Sequence, residues 1–546
     1  MASKRGKFKF NTTMCAFRLT EIRAAIASRS AILFFIVISI SITLSACGTV
    51  PSPAAAAAFS TDSANRAAPN DESRLFTETY ESLIEYHIDV TRADQIALAG
   101  LSKIGTFDST LYVERADDQL ILHHGDESWA YPAPPPYDSA EWGKLTTRLL
   151  DAARQVSPAL ADMPMDRLDE EVIDHALATL DPFSHYARPE VAREWRAARD
   201  GFNGIGVVLD GGTGTRIASV MDDSPAAKAG IRIDDLIVAL DGVPSSSLTA
   251  DQVRERLRGP AASVVELGIQ RAGLDKPIMM SIARAHLVPP SVVLSEDGNI
   301  AVLKIASFNQ QTGQTLIQLL HKAHQDLGSA MKGIVLDLRD NPGGLLDQSI
   351  EVAGQFLDGG TVVTTIGRNP DSFQYFSAPT DHHAETLPMA VLVNGGSASA
   401  SEIVASALQD SSRAVVIGTS SYGKGTVQTV LRTSNDGELT VTWAQLVPPK
   451  GYFLNHHGVV PTVCTANLGD AANAAAVLQK SPAPELAKPR DSLDDSGWTA
   501  LRALCPAQRA DRAIDLALAR QLVENPETYS RLLKGPTTNL AHNFAH

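Results

Sequence analysis

The stretch Gly418–Gln428, "GTSSYGKGTVQ", stops one residue short of a phosphate-cradling loop. The pattern G-x-x-x-x-G-K-[ST] holds through Lys424, but Gly425 stands where the hydroxyl belongs and Thr426 arrives late. A phosphate loop opens into a helix, whose N-terminal amides and dipole hold the anion. Here Gly425 and the β-branched Thr426, Val427, Thr429 and Val430 favour a strand. Lys424 is therefore not read as a nucleotide clamp. The preceding run "AVVIG" is a buried strand, so the lysine loop falls at the carboxyl edge of a sheet, where open α/β folds build their sites. Gly423 and Gly425 let the backbone around Lys424 approach another segment closely.

The surrounding chain supplies that sheet. "NIAVLKIASF", "GIVLDLRD", "MAVLVN" and "RAVVIG" alternate with the amphipathic segments "QTGQTLIQLLHKAHQDL", "GLLDQSIEVAGQFLD" and "SASEIVASALQD". Short apolar runs alternating with helices predict a largely parallel sheet covered by helices, an α/β core over 287–465. The candidate partner of Lys424 is "NGGSASASEIV", Asn394–Val404, which also follows a buried strand and opens a helix. Ser399 and Glu402 form S-x-x-E, a capping box. The same position suits a nucleophile at a strand-to-helix turn, with helix amides ready for an oxyanion. The two readings differ in where the hydroxyl points. The G-x-S-x-G elbow is absent, and His382 and His383 sit in a loop with no orienting partner, so a histidine base is not expected. A lysine serves as base only when burial depresses its pKa from about 10.4. Gln428 is the neutral polar residue in reach on the same strand, able to aim the amine without reprotonating it.

These residues carry a resemblance. "SASASEIVASALQD", "GKGTVQ" and "LDLRDNPGG" together resemble the C-terminal processing peptidases, or tail-specific proteases, over roughly Leu180 to Val463. The resemblance implies a serine endopeptidase with Ser399 as nucleophile, Lys424 as general base and Gln428 as its orienter. It further implies an oxyanion hole from the amides of Ala400 and of Gly343 or Gly344, a choice the sequence leaves open. No metal or other cofactor is expected, since H-E-x-x-H and Cys/His clusters are missing.

Residues 201–286 read as a separate β-rich module, with short strands, turn signals at Asp241-Gly242 and one helix behind Thr249. "GFNGIGVVLD" and "SPAAKAGIRIDDLIVALDGV" resemble a PDZ domain, which implies that amides around Gly204, Ile205, Gly206 and Val207 receive a peptide C-terminus. Before it, 73–200 is expected to be mainly helical, and "LDPFSHYARPE" resembles the family's lead-in, with Phe183 at a position that is often histidine. After the core, Pro449-Lys450-Gly451 and Thr462 depart from the family pattern.

The termini speak to location. Basic residues precede the uncharged run "AILFFIVISISITLSAC", which reads as a signal segment (1–46). Leu44-Ser45-Ala46-Cys47 resembles a lipobox, so Cys47 is expected to carry lipid, and the Ala/Pro/Ser-rich 47–72 to act as a tether. Of the four cysteines, Cys464 and Cys505 are then free to pair in an oxidising compartment. Residues 466–546 are expected to form a tail with a helix over 511–525. The net charge of −15 argues against nucleic acid as a partner. The expectation is a periplasmic, membrane-anchored endopeptidase acting on proteins with exposed C-termini. A homo-oligomer or an activating adaptor is left open, and a non-catalytic PDZ scaffold is the alternative.

Overall fold

The four apolar runs become neighbouring strands because each is buried on both faces. Ile300–Ile305, Gly333–Asp337, Met389–Val393 and Val415–Gly418 pair in parallel, with Leu303 opposite Leu336, Leu336 opposite Val391 and Val391 opposite Val416. Val292–Asp297 adds an antiparallel edge, and Val463–Cys464 closes the other side. The computed structural model describes residues 73–212, 214–380, 384–469, 473–480, 490–510 and 512–534; Cys47, the rest of 1–72, His382 and His383 lie outside the described residues.

Alternation along these strands sends side chains to two different cores. Ala301, Leu303, Leu336, Val391 and Val416 pack with Leu316, Val352, Ile403 and Leu408 from helices Thr312–Leu327, Leu346–Gly354 and Ala400–Asp410. Ile300, Val302, Val335, Leu392 and Ile417 face Leu478, Ile514, Leu518, Leu522 and Leu532. The second face is thus covered by the C-terminal segment, in helices Ala474–Gln479, Ala513–Val523 and Pro526–Leu533. The sequence predicts a single tail helix over 511–525. The structure has Ala513–Val523 there and integrates it, with its neighbours, into the core. Short Ala-rich helices carry a weak amphipathic signal, which is why the others escape a pattern reading.

A second, antiparallel sheet flanks the first. Thr426–Arg432 pairs with Glu438–Val447, which pairs in turn with Thr361–Ile366 and with His185–Ala187. Leu439 and Val441 of this sheet share a core with Phe76, Leu83, Leu145, Leu149 and Val172 of the N-terminal helices. That region is not purely helical. Leu111–Ala116, Gln119–His124 and Glu127–Pro132 form an antiparallel sheet around positive-φ turns at Asp117 and Gly125.

The β-rich module has strands Leu236–Leu240, Val264–Gln270 and Ile278–Ala283, a hairpin Val207–Leu209/Ile217–Val220, and helix Ala250–Leu257 capped by Thr249 and Gln252. Helix Pro189–Asp200 leads into it and is tied to the peptidase sheet by Arg196 and Arg199 on Glu438. The chain leaves through Ala285–Leu287, paired with Phe202–Gly204.

Because the C-terminal helices cover one whole face of the sheet, Leu518→Ala is expected to destabilise the core by about 2–5 kcal/mol. Thermal unfolding should show a lowered midpoint; an unchanged midpoint would mean that the segment only decorates the sheet.

Candidate active site

The serine turn is built by polar stitching between two strand ends. Asn394 Oδ1 accepts from Asp340 N–H and from Gly396 N–H, both at 2.9 Å. Ser397 Oγ donates to Leu338 C=O at 2.8 Å, and Ser401 Oγ to Asn341 C=O at 2.6 Å. These bonds dock the turn before helix Ala400–Asp410 onto the "DNPGG" turn, and they leave Ser399 at φ +55°, ψ −115°. A helix cap ordinarily takes extended dihedrals. A non-glycine residue held here costs about 1–3 kcal/mol and persists only where its surroundings impose it. The backbone thus departs from the extended dihedrals of a simple cap, although Ser399 and Glu402 keep the reciprocal capping-box arrangement that their spacing predicts.

Glu402 joins this turn to the lysine loop. Its Oε2 accepts from Ser399 N–H at 2.8 Å and from Lys424 N–H at 2.9 Å. Its Oε1 accepts from Gly423 N–H at 2.7 Å and from the Ser421 hydroxyl. The carboxyl is fully buried, and burial pushes its pKa up against the pull of these four donors. A loop this close requires glycine: a Cβ on Gly425 would sit 1.8 Å from Asn455 N. Behind the loop, Arg502 donates through Nη2 to Ser421 C=O at 2.9 Å and through Nη1 to His457 C=O at 2.5 Å. Helix Asp495–Leu504, which carries Arg502, ends at Cys505, and Cys505 is disulfide-bonded to Cys464 of the edge strand.

The Lys424 side chain is largely withdrawn from water. Desolvation lowers its pKa, opposed by the negative charges of Asp181 and Glu402. Its Nζ lies 5.0 Å from the centre of the Phe183 ring, so the residue standing where the family often has histidine forms one wall of the lysine's pocket. Among the described residues Lys424 makes no ion pair. No hydrogen bond joins Ser399 Oγ to Lys424 Nζ, nor Lys424 Nζ to Gln428, in this structure. Gln428 instead donates through Nε2 to Thr426 Oγ1 at 2.8 Å and Thr442 Oγ1 at 3.2 Å. A bulge between Val427 and Gln428 puts Gln428 opposite Thr442.

The two glycines left open by the sequence now differ. Gly343 N–H is committed to Asn341 Oδ1 at 2.8 Å, so Gly343 is not the free donor. Phe308 exchanges bonds with Gly343 C=O and Leu345 N–H, and this turns the intervening Gly344 amide away from Phe308. Among the described residues neither Gly344 N–H nor Ala400 N–H, at the start of its helix, donates elsewhere. A Cβ on Gly343 would lie 2.9 Å from Ser399 Cβ and 3.1 Å from Ala400 N, so the two turns are in contact.

In the β-rich module, Ile205 C=O accepts from Ala226 N–H and Gly206 C=O from Met221 N–H. The amides of Ile205 and Gly206 donate to nothing among the described residues. Gly204 lies in the strand paired with Ala285–Leu287, and Val207 begins the next hairpin. Gly206 has φ +85°, and a Cβ there would collide with Ser224. Arg258 stacks over Phe202, 5.2 Å from the ring centre, beside this loop. Sequence reading missed Arg258, Arg502, Asp181 and Thr442. Only Asp181 left a trace, as the first residue of an Asx-type turn in "LDPFSHY".

A serine turn braced against a lysine loop, beside a PDZ-like module, defines a serine-type peptidase with a PDZ domain. Residues 299–465 match peptidase family S41 and residues 216–271 match a PDZ domain. A carboxy-terminal-processing protease of Bartonella bacilliformis is 38% identical over 324 residues, covering 59% of this chain and 75% of that protein. A probable CtpA-like serine protease of Staphylococcus aureus is 33% identical over 303 residues, covering 55% of this chain and 60% of that protein. A solved photosystem II D1 C-terminal processing protease is 25% identical, covers 72% of this chain and 92% of that chain, and has a TM-score of 0.36. The chain belongs to peptidase family S41, with the carboxy-terminal-processing proteases.

Since one carboxyl joins the two halves of the site, Glu402→Gln should leave the protein folded but lower kcat by about tenfold or more, because an amide turns N–H groups toward donors. Steady-state peptide cleavage measures this; wild-type kcat in the variant would refute the bracing role.

Proposed function

We propose that this chain is an exported, lipid-anchored endopeptidase that takes protein C-termini through its PDZ domain and cleaves them through a Ser399 acyl-enzyme. The observation that carries the catalytic assignment is the shared Glu402 oxygen, which ties the strained serine turn to a lysine whose ammonium is disfavoured by burial. In this mechanism Ser399 Oγ attacks the scissile carbonyl carbon while its proton passes to the Lys424 amine. The oxyanion is received by Ala400 N–H and Gly344 N–H. Lys424 then returns the proton to the leaving amine as the C–N bond breaks, and water hydrolyses the ester by the same proton route. Transfer requires Oγ and Nζ to approach to about 3 Å, a contact that commonly tightens only with substrate bound. Gln428 orients the amine. The undonated Ile205 and Gly206 amides support carboxylate capture by the PDZ loop, as the Gly204–Val207 pattern suggests.

Ser399→Ala and Lys424→Ala should each abolish cleavage without loss of fold, and Lys424→Arg should fail as well because guanidinium does not deprotonate. The pH sign follows from the lysine. Activity is absent where Lys424 is charged and rises with pH through its lowered pKa, so the acid limb should lie below the ordinary lysine range. Cleavage by purified Ser399→Ala removes the assignment.

Anchoring rests on the lipobox-like Leu44–Cys47 and the tether after it. The Cys464–Cys505 bridge suits an oxidising compartment. In a bacterial host, the mature protein should begin at a lipid-modified Cys47, read from the mass of its N-terminal peptide. An unmodified Cys47 in the membrane-bound protein would contradict a lipid anchor there.

A further inference from the structure

The lysine's orienter is itself oriented, by a carboxylate from far earlier in the chain. Asp181 stands in the segment before the PDZ domain, outside both matched regions. Its Oδ1 accepts from Phe183 N–H at 2.7 Å, Ser184 N–H at 2.9 Å and Thr442 Oγ1 at 2.9 Å. Its Oδ2 accepts from Ser184 Oγ at 2.5 Å and from His87 Nε2 at 3.1 Å. His87 Nδ1 lies near both Asp89 N–H at 3.1 Å and Asp89 C=O at 3.2 Å, and a proton on Nε2 is what its 3.1 Å contact with the Asp181 carboxylate requires. Five donors converge on one carboxylate, and those hydrogen bonds outweigh its desolvation and hold its pKa below the usual carboxylate range. The group is therefore an anion that only accepts.

That fixes the sense of every bond downstream. The Thr442 hydroxyl has one proton, and Asp181 takes it. Thr442 Oγ1 then has only lone pairs for Gln428, so Gln428 must turn its NH2 group toward it, as observed at 3.2 Å. Thr426 Oγ1 accepts from the same NH2 group. The carbonyl oxygen of Gln428 is left as the end that can accept a proton from Lys424. Thr442 is also locked in place through its backbone, with N–H on Ser184 Oγ at 3.0 Å and C=O accepting from Ile88 N–H at 2.8 Å.

We propose that Asp181 is a positioning residue for the peptidase reaction, setting the hydrogen-bond polarity of the chain Asp181–Thr442–Gln428 so that Gln428 offers its oxygen to the Lys424 amine. The inference rests on the Ser399/Lys424 assignment above. Asp181 Oδ1 also holds the Phe183 and Ser184 amides, so an asparagine would keep its oxygen there and keep the threonine proton, whereas alanine removes the acceptor and frees that proton for the Gln428 oxygen. The glutamine amide would then flip and present donors to a group that itself donates. Asp181 also acts on Lys424 by charge, as does Glu402, while His87, just past the first helix, is the titratable group facing Asp181.

The test is steady-state cleavage of a peptide by full-length Asp181→Ala, Thr442→Val and Thr442→Ser across pH, with active sites counted by a fluorophosphonate. The expected result for Asp181→Ala is a fall in kcat of about tenfold or more with KM little changed. Its acid limb should move to lower pH, because a negative charge that raises the Lys424 pKa has gone. Thr442→Val should also lose kcat, and Thr442→Ser, which keeps the hydroxyl, should recover it. A merely structural role for Asp181 would reduce the number of active sites without moving the limb, and that outcome overturns the proposal. So does wild-type kcat in Asp181→Ala or Thr442→Val. If Asp181→Ala does not fold, the Thr442 pair alone decides. Should Ser399→Ala remain active, the catalytic assignment has failed; should Ser399→Ala be dead while Thr442→Val is unaffected, only the polarity chain has failed.

Discussion

One carboxyl group stands at the centre of this molecule. Glu402 is buried one turn inside the helix that follows Ser399, and its oxygens accept from the serine turn and from three residues of the lysine loop. Two segments on different strands, with no covalent reason to meet, are thereby held as one unit. A buried carboxyl with fewer donors would be costly, since each missing partner leaves a desolvated polar atom. The arrangement is thus sensitive to any change that lets the loop drift.

The loop is also held from outside. Arg502 reaches the carbonyls of Ser421 and His457, and its helix packs Trp498 against Tyr452 and stacks it on His457. The disulfide at Cys505 fastens that helix to the edge of the central sheet. From the other side, the N-terminal helices deliver Asp181, Ser184 and Ile88 to Thr442. The site therefore draws on the first helices, the peptidase sheet and the C-terminal segment at once, and the segments outside the matched peptidase region take part in its geometry. The departures at the end of the core also have contacts. Lys450 lies 3.8 Å from the Asp410 carboxylate, and Thr462 Oγ1 accepts from Gln409, both residues closing the serine helix.

What the sequence revealed and what it hid divide along a physical line. The positions of Ser399 and Lys424 just past buried strands are legible from strand-then-turn spacing, and β-branched composition places Gln428 on a strand, while the roles proposed for them rest on the resemblance. The parallel sheet is legible because buried strands are continuous apolar runs. Glu402 was visible as a cap residue, but its second set of donors was not, since they come from a loop nineteen or more positions away. Asp181, Thr442 and Arg502 act through contacts across 261 and 81 residues of chain, which no local pattern encodes. That the Gly343 amide is occupied follows from the Asn341 side chain, again a matter of coordinates.

The account comes down to the charge state of one side chain in a pocket walled by Phe183. With 13Cε-lysine labelling, assigned by loss of a signal in Lys424→Arg, an NMR pH titration of the Ser399→Ala protein reads it directly. One lysine resonance should titrate well below the others. If all of them titrate together near the ordinary value of about 10.4, the amine is not poised as a base and the account is contradicted.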